Sequence, residues 1–254
     1  MKWYIISLMP LIFWESAFAA TSYHAADAPD PHVASYIDGI KPVMDHGTWF
    51  HGILNEFEGR YAPSGSEFRW DGEAWYGGDY NRLWLKTEGT IDKGRMSDGD
   101  HEALYSHAIS RYFDAQAGVR VDLDSGPTRT WGAFGIQGLA LYEFEVQVTG
   151  YVSDQGRFAG KLEGSYDFLL TNRLILQPQA EFNLQTKSDR ARGAGAGLSD
   201  VDAGLRLRYE FWRKFAPYIA VTYSGYFTQA RRFAHERDDP TGTVRFTFGI
   251  RSWF

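Results

Sequence analysis

Met44, Asp45 and His46, followed by His51, place one thioether and two imidazoles within a short stretch of chain. Thioethers favour Cu(I) and imidazoles serve Cu(II), whereas magnesium and calcium prefer oxygen ligands. Wrapped around one ion, this set suits copper; the alternative is a solvated stretch whose histidines bind nothing. Met96, His101 and His107 form a second group, with Met96 and His101 in a segment that reads as an outer loop and His107 on a strand. That separation argues against a shared ion. His24, His32 and His235 stand alone. Asp71, Glu73 and Asp79 could suggest paired acids for hydrolysis, and Ser106-His107 a nucleophile and base. Neighbouring residues on a strand point to opposite faces, so Ser106 and His107 cannot bond directly. No catalytic residue is assigned. Gly77-Gly78 and the glycines of 193–197 lack a strand-to-helix context and read as turn glycines, not as a phosphate loop.

The elements that must hold these residues read as strands. The last stretch, Thr243 to Phe254, alternates: Val244, Phe246, Phe248, Ile250 and Phe254 are apolar, and Arg245, Thr247 and Arg251 lie between them. The same period of two recurs around Phe68 and Trp70, Leu83 and Leu85, Val119 and Val121, and Tyr142 to Val148. It continues at Phe158 to Phe168, Leu174 to Leu184, Val201 to Phe211 and Ile219 to Phe227. The segments near 50–61, 103–113 and 129–140 alternate less cleanly, and with them the chain holds about twelve strands, an even number as bacterial barrels require. Aromatics are 17% of the 254 residues, yet the mean hydropathy is only −0.38. Rings on one face and charge on the other fit a transmembrane barrel with a polar lumen. The charges expected on the polar face include Arg69, Asp71, Glu73, Arg82, Lys86, Glu88, Arg120, Glu143, Glu145, Lys161, Glu163, Glu181, Arg206, Arg208, Arg245 and Arg251. Opposite signs should pair across so narrow a lumen.

Residues 1–20 read as a secretory signal, with Lys2, an apolar run from Trp3 to Trp14 and Ala17-Phe18-Ala19 before the cut. Residues 21–48, broken by Pro29, Pro31 and Pro42, read as a periplasmic arm, and 49–254 as the barrel. Short turns and longer polar connections alternate, the longer ones at 62–66, 92–101, 124–128, 153–156, 186–198 and 229–242. The absence of cysteine excludes disulfides and thiolate metal sites, and the net charge of −6 argues against a nucleic-acid partner.

The block WDGEAWYGGDYNRLWLKTEG at 70–89 resembles the copper resistance protein B family of bacterial outer-membrane proteins. The likeness continues at 104–122, 129–146, 169–184 and 197–221, nearly the whole barrel. The resemblance implies an outer-membrane, non-enzymatic protein of copper resistance that binds periplasmic copper ions and assists their sequestration or export. Its implied partners are copper ions, outer-membrane lipid and periplasmic copper-handling proteins. Family members often carry a long arm of repeated Met-Asp-His-Gly units; here one stands, Met44-Asp45-His46-Gly47, with His51-Gly52 behind it. Met44, Asp45, His46 and His51 are thus the expected metal ligands, and copper the only ion expected. A general small-solute channel or structural barrel is the alternative, and an outer-membrane hydrolase the third reading.

Overall fold

The computed structural model describes residues 47–124, 126, 128–154, 156–190 and 192–254. The signal expected at 1–20, and Met44, Asp45 and His46 of the expected arm, lie outside the described residues. The barrel begins with β1 (Trp49–Ala62), β2 (Gly65–Gly77), β3 (Asn81–Asp92), β4 (Arg95–Ala108), β5 (Phe113–Asp122) and β6 (Arg129–Ala140). It continues through β7 (Phe144–Ser153), β8 (Phe158–Ser165), the two-residue β9 (Phe168–Leu169), β10 (Leu174–Gln185), β11 (Gly197–Tyr209), β12 (Phe215–Tyr226) and β13 (Gly242–Trp253). Successive strands pair antiparallel, except that β8 and β9 do not pair with each other but share one flank of β10 as a single interrupted stave. β1 pairs with β13, which closes the sheet into a twelve-stave barrel without a free edge. The seam is sealed at its end by Phe254, whose backbone N–H donates to Gly52 at 2.8 Å.

Burial is inverted relative to a soluble domain. Phe50, Leu85 and Phe134 are 66%, 55% and 55% exposed on the outer wall, whereas Glu58 and Arg60 are each 1% exposed inside. An outer band of Phe, Leu, Val and Tyr is stable only against hydrocarbon, and closure satisfies the backbone groups that lipid cannot. No helix among the described residues is long and apolar enough to cross a membrane; the strands do the crossing.

Alternation is broken once inside β1. Leu54 pairs with Gly72 but Glu56 with Asp71, so Asn55 is an extra residue that bulges out of register. The bulge puts His51, Ile53 and Asn55 on the lumen side, then Glu56, Glu58 and Arg60 as well. That is why this segment alternates poorly by eye.

The structure departs from the sequence reading at three places. The connections expected to be long at 62–66 and 92–101 are two-residue hairpins, Pro63-Ser64 and Lys93-Gly94. Lys93 and Gly94 have φ of 49° and 76°, the left-handed pair of a tight hairpin. Connection length therefore does not alternate strictly, and Met96 and His101 lie on β4 instead of in a loop. Asp98-Gly99-Asp100 reads as loop by composition, yet both acids line the interior and Gly99 sits on the outer wall. A Cβ on Gly99 would fall 2.7 Å from Met96 Sδ and 2.9 Å from the Leu123 carbonyl oxygen, so only glycine fits there. Finally, Glu143 belongs to the turn Leu141–Glu143, with φ of 64° at Tyr142 and 63° at Glu143, and so lies off the lumen wall.

By the antiparallel order, the short turns 78–80, 109–112, 141–143, 170–173 and 210–214 share one end with the start of β1 and with Phe254. The two longest connections, 186–196 and 227–241 with helix α1 (Thr228–Glu236), lie at the other.

Candidate functional site

A cavity of about 920 Å³ enters the barrel from the turn end, lined there by Asp79, Tyr80, Ile109 and Tyr112, and reaches inward to Glu88, Lys161 and Asp202. His51 stands on its wall near the mouth, between Trp75 at 5.9 Å and Trp253 at 5.7 Å between ring centroids. Arg82 lies over Trp75 and Lys214 over Trp253, so the mouth is aromatic with cations on the ring faces. Of the four ligands expected from sequence, His51 alone is among the described residues, and it belongs to β1 instead of preceding it.

The structure does not bring the second histidine group together. His101 lies on the outer wall, its Nδ1 3.0 Å from Thr87 Oγ1. His107, near the turn end of the same strand, faces outward 2.8 Å from Asn81 Oδ1. His235 is exposed on α1 at the far end. Ser106 points inward and donates to Asp114 at 3.3 Å, so it and His107 do occupy opposite faces. Asp71 and Glu73 line the cavity, and Asp79 lies in a turn.

Mid-barrel, charged side chains form a belt. Arg60 reaches Asp202 at 2.9 Å and Glu58 beside it; Arg206 reaches Glu56 at 2.7 Å; Arg69 joins Glu56 at 2.9 Å to Glu181 at 3.2 Å. Tyr218 donates to Glu58 at 2.6 Å. Opposite, Arg120 pairs with Asp100 at 2.5 Å and Asp122 at 2.8 Å, and Lys161 with Glu88 at 2.7 Å. Beside these charges an apolar cluster, Trp84, Leu104, Trp131, Ala133 and Tyr151, fills part of the lumen. Charges this enclosed are tolerated because each is paired, and removing one partner would strand the other. Glu56, Glu58 and Arg60 were hidden from sequence reading by the Asn55 bulge, and Asp98 and Asp100 by their loop-like composition. The signal that could have found them is the renewed period of two after each irregularity.

At the loop end, Asp189 accepts from Arg129 at 2.6 Å, with Arg157 at 3.6 Å and Arg192 at 3.7 Å. Arg192 also pairs with Asp124, and Arg190 with Glu236 of α1 at 2.6 Å. Partial burial would raise the Asp189 carboxyl, but the Arg129 hydrogen bond and the three guanidinium charges outweigh it and hold the group below its ordinary value. Ala230 and Ala234 of α1 are fully buried, and a Cβ on Gly195 would lie 2.2 Å from the Ala230 nitrogen. Loop 186–196 and α1 are therefore closely packed as one cap.

A family model described as Copper resistance protein B precursor matches residues 48–254. A Copper resistance protein B of Escherichia coli is 43% identical over 202 residues, covering 80% of this chain and 68% of that protein. A Copper resistance protein B homolog of Pseudomonas syringae pv. tomato is 42% identical over 202 residues, covering 80% and 69%. Among solved structures, the NanC porin superposes with a TM-score of 0.53 at 12% identity, over 78% of this chain and 98% of that one, a likeness of fold.

Proposed function

The chain belongs to the copper resistance protein B family, and from that premise we propose that it binds periplasmic copper at the turn-end mouth of its barrel and assists its sequestration or export. Copper is cargo here, not a catalytic cofactor. The observation that carries the reading is the inward placement of His51 on the wall of the cavity that opens at the turn end, five residues beyond His46. Met44, Asp45, His46 and His51 supply the ligands, with sulfur and imidazole selecting copper over calcium and magnesium. The end that bears the mouth faces the periplasm, the outer wall faces outer-membrane lipid, and periplasmic copper-handling proteins deliver or accept the ion.

Two features favour this reading over the others. A general diffusion channel is opposed by the charged belt and the Trp84–Trp131 cluster, which occupy the lumen. A hydrolase is opposed by the separation of Ser106 and His107 across the sheet. Copper titration of the folded protein in detergent, beside a variant with Met44, His46 and His51 all replaced by Ala, tests the site. The variant should lose at least tenfold in affinity and still run faster unheated than boiled on a denaturing gel. Equal affinity would remove these residues from the site.

A further inference from the structure

Just inside the mouth, one cation and one anion line the cavity without neutralising each other. Arg251, on β13, makes no ion pair among the described residues. Its one side-chain hydrogen bond runs from Nε to Asn55 Oδ1 at 3.4 Å, which leaves both terminal nitrogens of the guanidinium without a protein acceptor. Glu73, on β2, has Lys86 as its nearest cation at 4.0 Å. That ammonium is drawn instead to the carbonyl oxygens of Gln147 at 2.7 Å and Gln137 at 2.9 Å. The Glu73 carboxylate therefore keeps a weak partner, and the Arg251 guanidinium keeps none of its own sign-opposite kind within reach.

Asn55 stands between them, its amide oxygen on Arg251 and its amide nitrogen turned to Glu73. The β1 bulge is what makes this possible. Regular alternation would send either Asn55 or Glu56 to the outer wall; the extra residue lets Asn55 serve the cavity and Glu56 the belt. One position nearer the mouth on the same two strands come Trp75 and Trp253, with His51 between their rings at 5.9 and 5.7 Å. A guanidinium, an amide and a carboxylate thus adjoin an aromatic wall in one cavity. A few convergent polar groups beside aromatic surface are the ordinary make-up of a small-molecule site.

We propose that Arg251, Asn55 and Glu73 bind a small zwitterion, an α-amino acid with an apolar or aromatic side chain. The ligand carboxylate takes the two open nitrogens of Arg251, a fork that matches a carboxylate. The ligand ammonium donates to Glu73, and its side chain lies against Trp75 and Trp253. The two charged groups of an α-amino acid share one carbon, a separation that suits two protein charges bridged by a single amide. A plain anion would meet Arg251 but also Glu73, and a plain cation the reverse, so the pair rejects ligands that carry one charge only. None of these three residues is among the copper ligands.

The test is calorimetric titration of the full folded chain in detergent with L-phenylalanine, beside 3-phenylpropanoate, which lacks the ammonium, and phenethylamine, which lacks the carboxylate. The parent should bind L-phenylalanine saturably at one site and each analogue at least tenfold more weakly. Arg251→Gln should weaken L-phenylalanine at least tenfold and leave phenethylamine no weaker than in the parent. Glu73→Gln should weaken L-phenylalanine likewise and leave 3-phenylpropanoate no weaker, a crossed pattern that a merely structural role would not produce. Should either variant not fold, the ranking of the three ligands on the parent decides alone. Absence of saturable L-phenylalanine binding, equal affinity for the analogues, or parent-like binding by folded Arg251→Gln would overturn the proposal and leave the copper reading standing.

Discussion

The two ends of this barrel are closed and opened by different chemistry. At the loop end, Arg129, Arg157 and Arg192 converge on Asp189, and α1 packs its alanines against the 186–196 loop. At the turn end the connections are short, the walls are Trp75, Trp253 and Tyr80, and a cavity runs inward. Ion pairs between separate connections can be released without unfolding a strand; tight turns cannot. The difference teaches that access differs by end: a solute meets an open aromatic mouth on one side and a charge-latched cap on the other, with the mid-barrel belt between them.

The strongest way to break that asymmetry is to break the belt. Arg60 serves Glu58 and Asp202 from within the wall, and its loss leaves Asp202 with no ion pair and Glu58 with only Arg206 at 3.9 Å. Arg60→Ala should cost about 3–5 kcal/mol, read as a lower urea midpoint in detergent; a parent-like midpoint would mean that the belt is not structural. A smaller effect, confined to one end, is expected of Asp189→Asn. It removes the charge on which three arginines converge, so proteolysis within 186–196 should speed several-fold while copper affinity at the mouth stays unchanged. Parallel changes at both ends would show that cap and mouth are coupled.

Mild acid sharpens the contrast with the least perturbation. The Asp189 carboxyl is held below its ordinary value in the folded protein, so the stability it contributes is complete above the ordinary aspartate range. It is lost only as pH falls through that lowered value. Between pH 7 and pH 5 the cap should therefore resist protease equally. Imidazole coordination, in contrast, meets proton competition below about pH 6, so copper should leave the mouth over the same interval. Cap opening between pH 7 and pH 5 would contradict the latch.

Much of this was legible from residue order. Alternation in 201–211 and 244–254 defines strands with one apolar and one charged face, and such faces need lipid outside and a polar lumen inside. The even strand number and the inward direction of Arg69, Asp71, Lys86, Glu88 and Lys161 follow from the same pattern, because side-chain direction on a strand depends only on parity; the family likeness came separately, from the residues of 70–89. Parity fails wherever one residue is inserted. The bulge at Asn55 hid Glu56, Glu58 and Arg60, and the turn-like composition of Asp98-Gly99-Asp100 concealed a strand. The turn expected at Ala140-Leu141 extends through Tyr142 and Glu143 at positive φ, so the strand that alternation began at Tyr142 starts at Phe144.

What order along the chain could not decide is which charges meet. Arg60 and Asp202, or Arg69 and Glu181, are more than a hundred residues apart, and only closure of β1 on β13 and the register of each pair bring them within hydrogen-bonding distance. The same closure brings Arg206 of β11 to Glu56 and Lys161 of β8 to Glu88. Local pattern, by itself, determined that this chain is a barrel with a charged interior. The tertiary structure decided which of those charges are neutralised, because pairing depends on distance across the lumen, and that distance is set by closure and register together.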